Sequence, residues 1–302
     1  FRMERGIGRP FAQWVAFALN GKPAGFNRCG RRVALAQADE EVESAMKQGE
    51  WAAECAAVND LAEFCGARDV PELTPEALEA RYGFRRADAM ALFGGSILAG
   101  VDVLAAAMRA GVAKRYGIVG GEGHTTQALR DRVHGLYPDL DVRGMPEARL
   151  FAEVLKRRHG LEPDFLEEKS TNCGNNITYL LEVLRESGAP CRSIVLAQDA
   201  TMQRRMAAGL ALHAPEVVPV SFATYRVRAV PRGDAMGFVP EPEGMWGAAR
   251  YVSLLMGEIP RLRDDADGYG PRGKGFIAHV DVPEAVLAAY EWLKARHPGA
   301  TR

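Results

Sequence analysis

The sequence predicts an α/β protein. Its sheet is mainly parallel, with helices on both faces, and a helical cap is drawn from both ends of the chain. Three observations carry this expectation. Between residues 85 and 222 five short apolar runs alternate with stretches of helical periodicity. Several of those runs end in glycine or small polar residues, the punctuation of strand-to-helix turns. After residue 222 the alternation stops, leaving loops and two amphipathic stretches.

The elements follow in order. Residues 9–81 read as helical, because "VALAQADEEVESAMKQ" and "WAAECAAVNDLAEFCG" place apolar residues at helical spacing. "LTPEALEARYG" opens a helix with a capping threonine and Pro75 at its first position. "DAMALFGG" (88–95) is the first strand, followed by the helix of "ILAGVDVLAAAMRAG". "RYGIVGGEGH" (115–124) is the second, followed by "TTQALRDRVHGLYP" and "MPEARLFAEVLKRRHG" as helices. "DFLEEKSTNCGNN" runs from a third strand into a loop and then the helix of "NITYLLEVLRESG". "RSIVLAQDATMQRR" holds the fourth strand, and "EVVPVSF" is the fifth. The segment "ATYRVRAVPRGDAMGFVPEPEGMWG" reads as loop, and "AARYVSLLMGEIPRL" and "VPEAVLAAYEWLKARH" as helices. This gives a helical segment over 1–84, an α/β ligand-binding domain over 85–222 and a helical cap over 223–302.

Composition narrows the function classes. A chain of 302 residues, 47% hydrophobic and 25% charged, has an ordinary globular balance. A net charge of −1 gives no basic surplus for nucleic acid. No apolar run reaches the length of a membrane span, and the first residues lack the apolar core of a signal peptide. The five cysteines are scattered and form no C-x-x-C pair. Free thiols in a reducing cytoplasm are therefore expected, with no disulfide scaffold and no metal site.

In an open parallel sheet, ligands bind beyond the carboxyl ends of the strands. Four loops of this sequence belong there: "GGS" (94–96), "GGEGHTT" (120–126), "EKSTNCGNN" (168–176) and "QDATMQRR" (198–205). Gly94, Gly95, Gly120 and Gly121 allow positive φ or close backbone approach to a ligand. Ser96, Ser170, Thr171, Asn172, Asn175 and Asn176 offer hydroxyls and amides, although part of this set can equally cap the following helix. Gln198, Asp199, Gln203 and Arg204 come from the fourth loop, where Asp199 can alternatively serve as a helix cap. Of Arg204 and Arg205, which leave a helix on different sides, one is expected to be a surface charge. His124 follows the second strand and suits acid or base chemistry. Neither "GGS" nor "GGEG" is a dinucleotide G-x-G-x-x-G fingerprint, and no P-loop G-x-x-x-x-G-K-S/T is present.

The pieces "GGEGHTT", "STNCGNN", "QDATMQRR" and "RYVSLLMGEIPRLRDDADGYGPRGKGFIAHVDVP" give the chain its resemblance to the YdcF-like proteins, over residues 85–295. The resemblance implies a Rossmann-like domain with a helical cap, and S-adenosyl-L-methionine in the crevice. One position departs: where the family carries an acidic residue followed by Asn-Ala after "STNCG", this chain has Asn175, Asn176 and Ile177. With that ligand, Glu147 is assigned to the ammonium or ribose, Tyr269 to the sulfonium and Arg272 to a carboxylate.

The expected activity is alkylation of a small-molecule acceptor. His124, Asp199 and Glu122 are the candidate bases. Because the usual methyltransferase glycine motif is absent, transfer of the 3-amino-3-carboxypropyl group leads. The acceptor would be a phenolic hydroxyl, as in a transferase of antibiotic biosynthesis that this chain resembles in length. Methyl transfer, a non-catalytic S-adenosylmethionine sensor and a phosphate-ester hydrolase or transferase are the alternatives.

Overall fold

Five strands form one all-parallel sheet: β1 (Ala89–Phe93), β2 (Tyr116–Val119), β3 (Phe165–Glu167), β4 (Ser193–Ala197) and β5 (Val218–Ser221). The order across the sheet is β3-β2-β1-β4-β5. The computed structural model describes residues 49–95 and 97–299. Residues 49–65 are helical (α1), and α2 is Pro75–Tyr82. Within the α/β region lie α3 (Ala99–Ala110), α4 (Thr126–Leu136), α5 (Glu147–His159), α6 (Cys173–Glu186) and α7 (Gln203–His213). The hairpin β6 (Arg228–Arg232) and β7 (Ala235–Val239) follows, then α8 (Ala248–Leu262) and α9 (Glu284–Arg296).

Every residue of β1 and β4 is buried, as a central strand covered on both faces requires. Their side chains alternate between two cores. Met90 and Leu92 pack with Leu104, Phe151 and Val154 of α3 and α5. Ala89, Ala91 and Phe93 pack with Leu180 of α6 and Met206 and Leu210 of α7. Helices therefore cover both faces. At the β2–β3 pairing Gly117 lies opposite Phe165, and a Cβ at Gly117 would fall 2.0 Å from the Phe165 ring. The bare glycine is what lets that ring lie across the strand.

The ends of α2 follow the sequence signals. Thr74 caps it through Oγ1, which accepts from Ala77 N at 3.1 Å, and Pro75 occupies the first position. Gly83 ends it with φ 79°, a value that disfavours a side chain.

A third core joins α1 to the C-terminal elements. Val58, Leu61 and Cys65 pack with Tyr251, Leu255 and Ile259 of α8 and Leu293 of α9. The expected cap is thus formed from both sides of the α/β region. Glu50–Arg302 constitutes one compact unit. Asn59 ties α1 to the hairpin: its Nδ2 donates to Ala229 O at 3.0 Å and its Oδ1 accepts from Ala229 N at 2.7 Å.

The hairpin corrects the expectation of loop over residues 223–247. Strands β6 and β7 pair antiparallel around Gly233 and Asp234. Gly233 has φ 60°, and among the described residues no non-glycine has positive φ. A positive φ at the first turn position alone is the type II′ pattern, whose twist matches paired strands. Pro231 is tolerated because this sheet has only two strands, each of them an edge.

Candidate functional site

The strand order reverses between β1 and β4, so the loops after these two strands part and leave a crevice at their carboxyl ends. A cavity of about 430 Å3 lies there. Its walls come from the loops after β1, β2, β3 and β4, from one face of α8, and from Tyr269. All four loops singled out in the sequence contribute.

Glycine serves this site by close approach. None of Gly94, Gly95, Gly120 and Gly121 has positive φ, contrary to one half of the expectation. A Cβ at Gly94 would sit 2.5 Å from Glu147 Oε2, and one at Gly121 would sit 2.3 Å from Ser170 O. Glu147 N donates to Gly121 O at 2.9 Å and Ala148 N to Gly120 O at 2.8 Å. The first turn of α5 is thereby bonded to the loop after β2, and its leading N–H groups are not open to an anion.

Glu147 is buried at the crevice wall, 9% exposed. Its Oε1 accepts from Thr126 Oγ1 at 2.8 Å and from Thr125 Oγ1 at 3.3 Å. Burial raises its carboxyl above the ordinary range, opposed by those two hydroxyls and by Arg130. A buried carboxylate facing a cavity is a counter-charge for a cation.

The 168–176 loop divides its work. Ser170 is structural: its Oγ accepts from Gly121 N at 3.1 Å, and its N donates to Glu167 Oε1 at 2.9 Å. Asn172 caps α6, with Oδ1 accepting from Asn175 N at 3.0 Å. Asn175 Oδ1 accepts in turn from Asn172 Nδ2 at 2.7 Å and Thr171 Oγ1 at 3.2 Å. Asn175 therefore belongs to the cap and lines a neighbouring cavity, while Ser170, Thr171, Asn172 and Asn176 line the crevice.

Asp199 lines the crevice with its oxygens engaged. Oδ1 accepts from Thr201 N, Thr201 Oγ1 and Tyr225 OH at 2.8, 2.7 and 2.8 Å, and Oδ2 accepts from Trp246 Nε1 at 3.1 Å. The Thr201 N bond closes a turn ahead of α7; the residue at the α7 cap position is Met202. Asp199 thus anchors the residues after β5 to the end of β4. Gln198, 1% exposed, accepts at Oε1 from Asp199 N, and its Nε2 is buried with no partner. A buried donor left free costs roughly 1–3 kcal/mol unless a ligand or water meets it.

Several sequence candidates lie elsewhere. Glu122 is exposed and pairs with Arg130 at 2.8 Å, outside the crevice wall. Gln203 is fully buried, with Oε1 accepting from Gln198 N and Nε2 donating to Leu196 O. It braces the strand end. Arg204 donates from Nε to Phe64 O and stacks on the Phe64 ring at 4.3 Å. It fastens α7 to α1, and Arg205 is the arginine that faces the crevice. Arg272 is exposed and held by Asp264 at 3.3 Å. Ser96 lies outside the described residues. Gly94, Gly95, Gly120, Gly121, His124, Glu147, Gln198 and Tyr269 all line the crevice.

The α8 wall lies outside the four loops to which the sequence pointed. Arg250, Leu254, Glu258 and Arg261 come from one face of that helix, and their spacing of four, four and three was a legible signal. Glu258 takes Arg205 bidentately, at 2.6 Å to Nε and 2.9 Å to Nη2. The crevice therefore carries the buried Glu147 carboxylate on its α5 side, and on its α7–α8 side three arginines with Glu258 bound to one of them. Among the described residues no group of three or more His, Cys, Asp or Glu could hold a metal ion, and no helix is long and apolar enough to cross a membrane. No protein-family model matches the chain.

Proposed function

We propose that the protein is a transferase that binds S-adenosyl-L-methionine in this crevice and moves its 3-amino-3-carboxypropyl group to a small acceptor. One observation carries the reading. Glu147 faces the cavity from one side, and Arg250 and Arg261 face it from the other beside the Arg205–Glu258 pair. That suits a ligand with cationic groups and a carboxylate. The free Nε2 of Gln198 and the bare backbone at Gly95 suit a flat heterocycle or ribose at the strand ends. The resemblance to YdcF-like proteins supports the same ligand.

The bound sulfonium supplies its own leaving group: the acceptor oxygen bonds to carbon as the C–S bond breaks, and the electron pair stays on sulfur as methylthioadenosine. The chain then has to hold the acceptor in line and take the hydroxyl proton. His124 is the favoured base. It is exposed on the crevice wall, whereas Asp199 already accepts four hydrogen bonds and Glu122 is paired outside.

Mass analysis after incubation with S-adenosylmethionine and a panel of hydroxyl and amine acceptors tests the reading. Methylthioadenosine with an acceptor gaining the amino acid chain supports it. S-adenosylhomocysteine would establish methyl transfer instead. The three arginines also favour a second reading, a phosphate-ester ligand, which release of phosphate from such esters would bring forward.

A further inference from the structure

A second cavity, of about 510 Å3, adjoins the crevice. It lies between the start of α6, the exposed side of α7 and the 269–277 segment. Asn172, Cys173, Arg205 and Tyr269 line both cavities and so form the wall between them. The volume is that of a small-molecule site.

Its chemistry differs from that of the crevice. No aspartate or glutamate lines it, whereas Arg205 and His213 do. Glu258, the partner of Arg205, lines the crevice only. His213 lies eight residues along α7 from Arg205, about 12 Å at the helical rise. The body of the cavity is apolar, with Ile177, Phe276 and Ile277. Phe276 meets Tyr269 edge-to-face at 5.3 Å and is 58% exposed. A phenyl ring left in water at a cavity rim is surface that an aromatic ligand would cover.

We infer that this cavity is the acceptor subsite, and that the acceptor is a small aryl-bearing carboxylic acid. Its ring packs on Tyr269 and Phe276. Its carboxylate points to His213, and its reacting end points to the shared wall. The assignment of acceptor rests on the transferase reading; the preference for an aryl carboxylate rests on this cavity alone.

Calorimetry of the full chain tests it, using 3-phenylpropionate and 3-phenylpropylamine as a matched acid and amine, with S-adenosylmethionine titrated separately. Thr178→Trp fills the cavity without touching the crevice, and His213→Glu puts a carboxylate at its exposed end; thermal melting checks that both variants fold. The acid is expected to bind saturably, with the amine at least about tenfold weaker and each variant losing about tenfold for the acid. S-adenosylmethionine affinity should stay within about twofold in both variants. Equal binding of acid and amine, or acid binding indifferent to both substitutions, would overturn the proposal. If S-adenosylmethionine binds and the acid does not, the cavity assignment alone falls. If the acid binds in a His213-dependent way and S-adenosylmethionine does not, the transferase reading falls and the aryl-carboxylate site stands.

Discussion

Removing Glu258 should destabilise the protein more than removing any exposed charge. Its side chain is 6% exposed, and it receives both Nε and Nη2 of Arg205, itself 15% exposed. Truncating one partner of a buried pair strands the other charge, at about 3–5 kcal/mol. Arg205 borders two cavities, so water reaches part of it and the lower end applies, about 3 kcal/mol. For a unit of this size each kcal/mol moves the melting temperature by about 2–4 °C, so Glu258→Ala should melt about 6–12 °C below wild type. Urea unfolding at neutral pH gives the free energy directly. The double variant Arg205→Met/Glu258→Leu leaves no stranded charge and should return to within about 1 kcal/mol of wild type, while binding in the crevice stays impaired. A loss below about 1 kcal/mol in Glu258→Ala, the range of solvated surface pairs, would show that Arg205 is not stranded without its partner and refute the expectation.

Three further outcomes follow from the same geometry. Burial raises the Glu147 carboxyl, so the folded state holds its proton more tightly than the unfolded chain. Stability therefore falls as pH rises from the ordinary carboxylate range through the folded value. Glu147→Gln should flatten that slope, melt no lower than wild type at pH 7 without ligand, and bind S-adenosylmethionine about tenfold more weakly through loss of a charge-assisted contact. Gly121→Ala places a Cβ 2.3 Å from Ser170 O and 2.8 Å from Glu168 O, both backbone atoms. It should cost about 1–3 kcal/mol in urea unfolding and weaken crevice binding. Arg204→Met loses the bond to Phe64 O and the stacking on its ring. It should cost about 1–2 kcal/mol while leaving ligand affinity unchanged, which separates it from Arg205.

The sheet was legible because each strand is a short apolar run closed by glycine or polar residues. Burial on both faces made β1 and β4 continuous in hydrophobicity, and that also marked them as central. The hairpin was hidden because arginines and Pro231 interrupt the apolar alternation of β6; the Gly233-Asp234 pair was the signal that remained. The crevice loops were visible from their composition, but their division of labour was not. Ser170 and Gln203 look like ligand groups, and they are spent on backbone atoms of loops distant or adjacent in sequence. Arg204 and Arg205 could not be told apart without knowing that α1 packs against α7. The α8 face came from a segment read as cap, so its arginines were not credited to the site.

S-adenosylmethionine is the ligand proposed for the crevice beyond β1 and β4. Calorimetric titration of the full chain with S-adenosylmethionine, with ATP and NAD as controls, tests that proposal most directly. Saturable binding at one site per chain is expected, weakened in Glu147→Gln and retained in Arg204→Met. A folded protein that does not bind S-adenosylmethionine, or that binds ATP or NAD in its place, would contradict it.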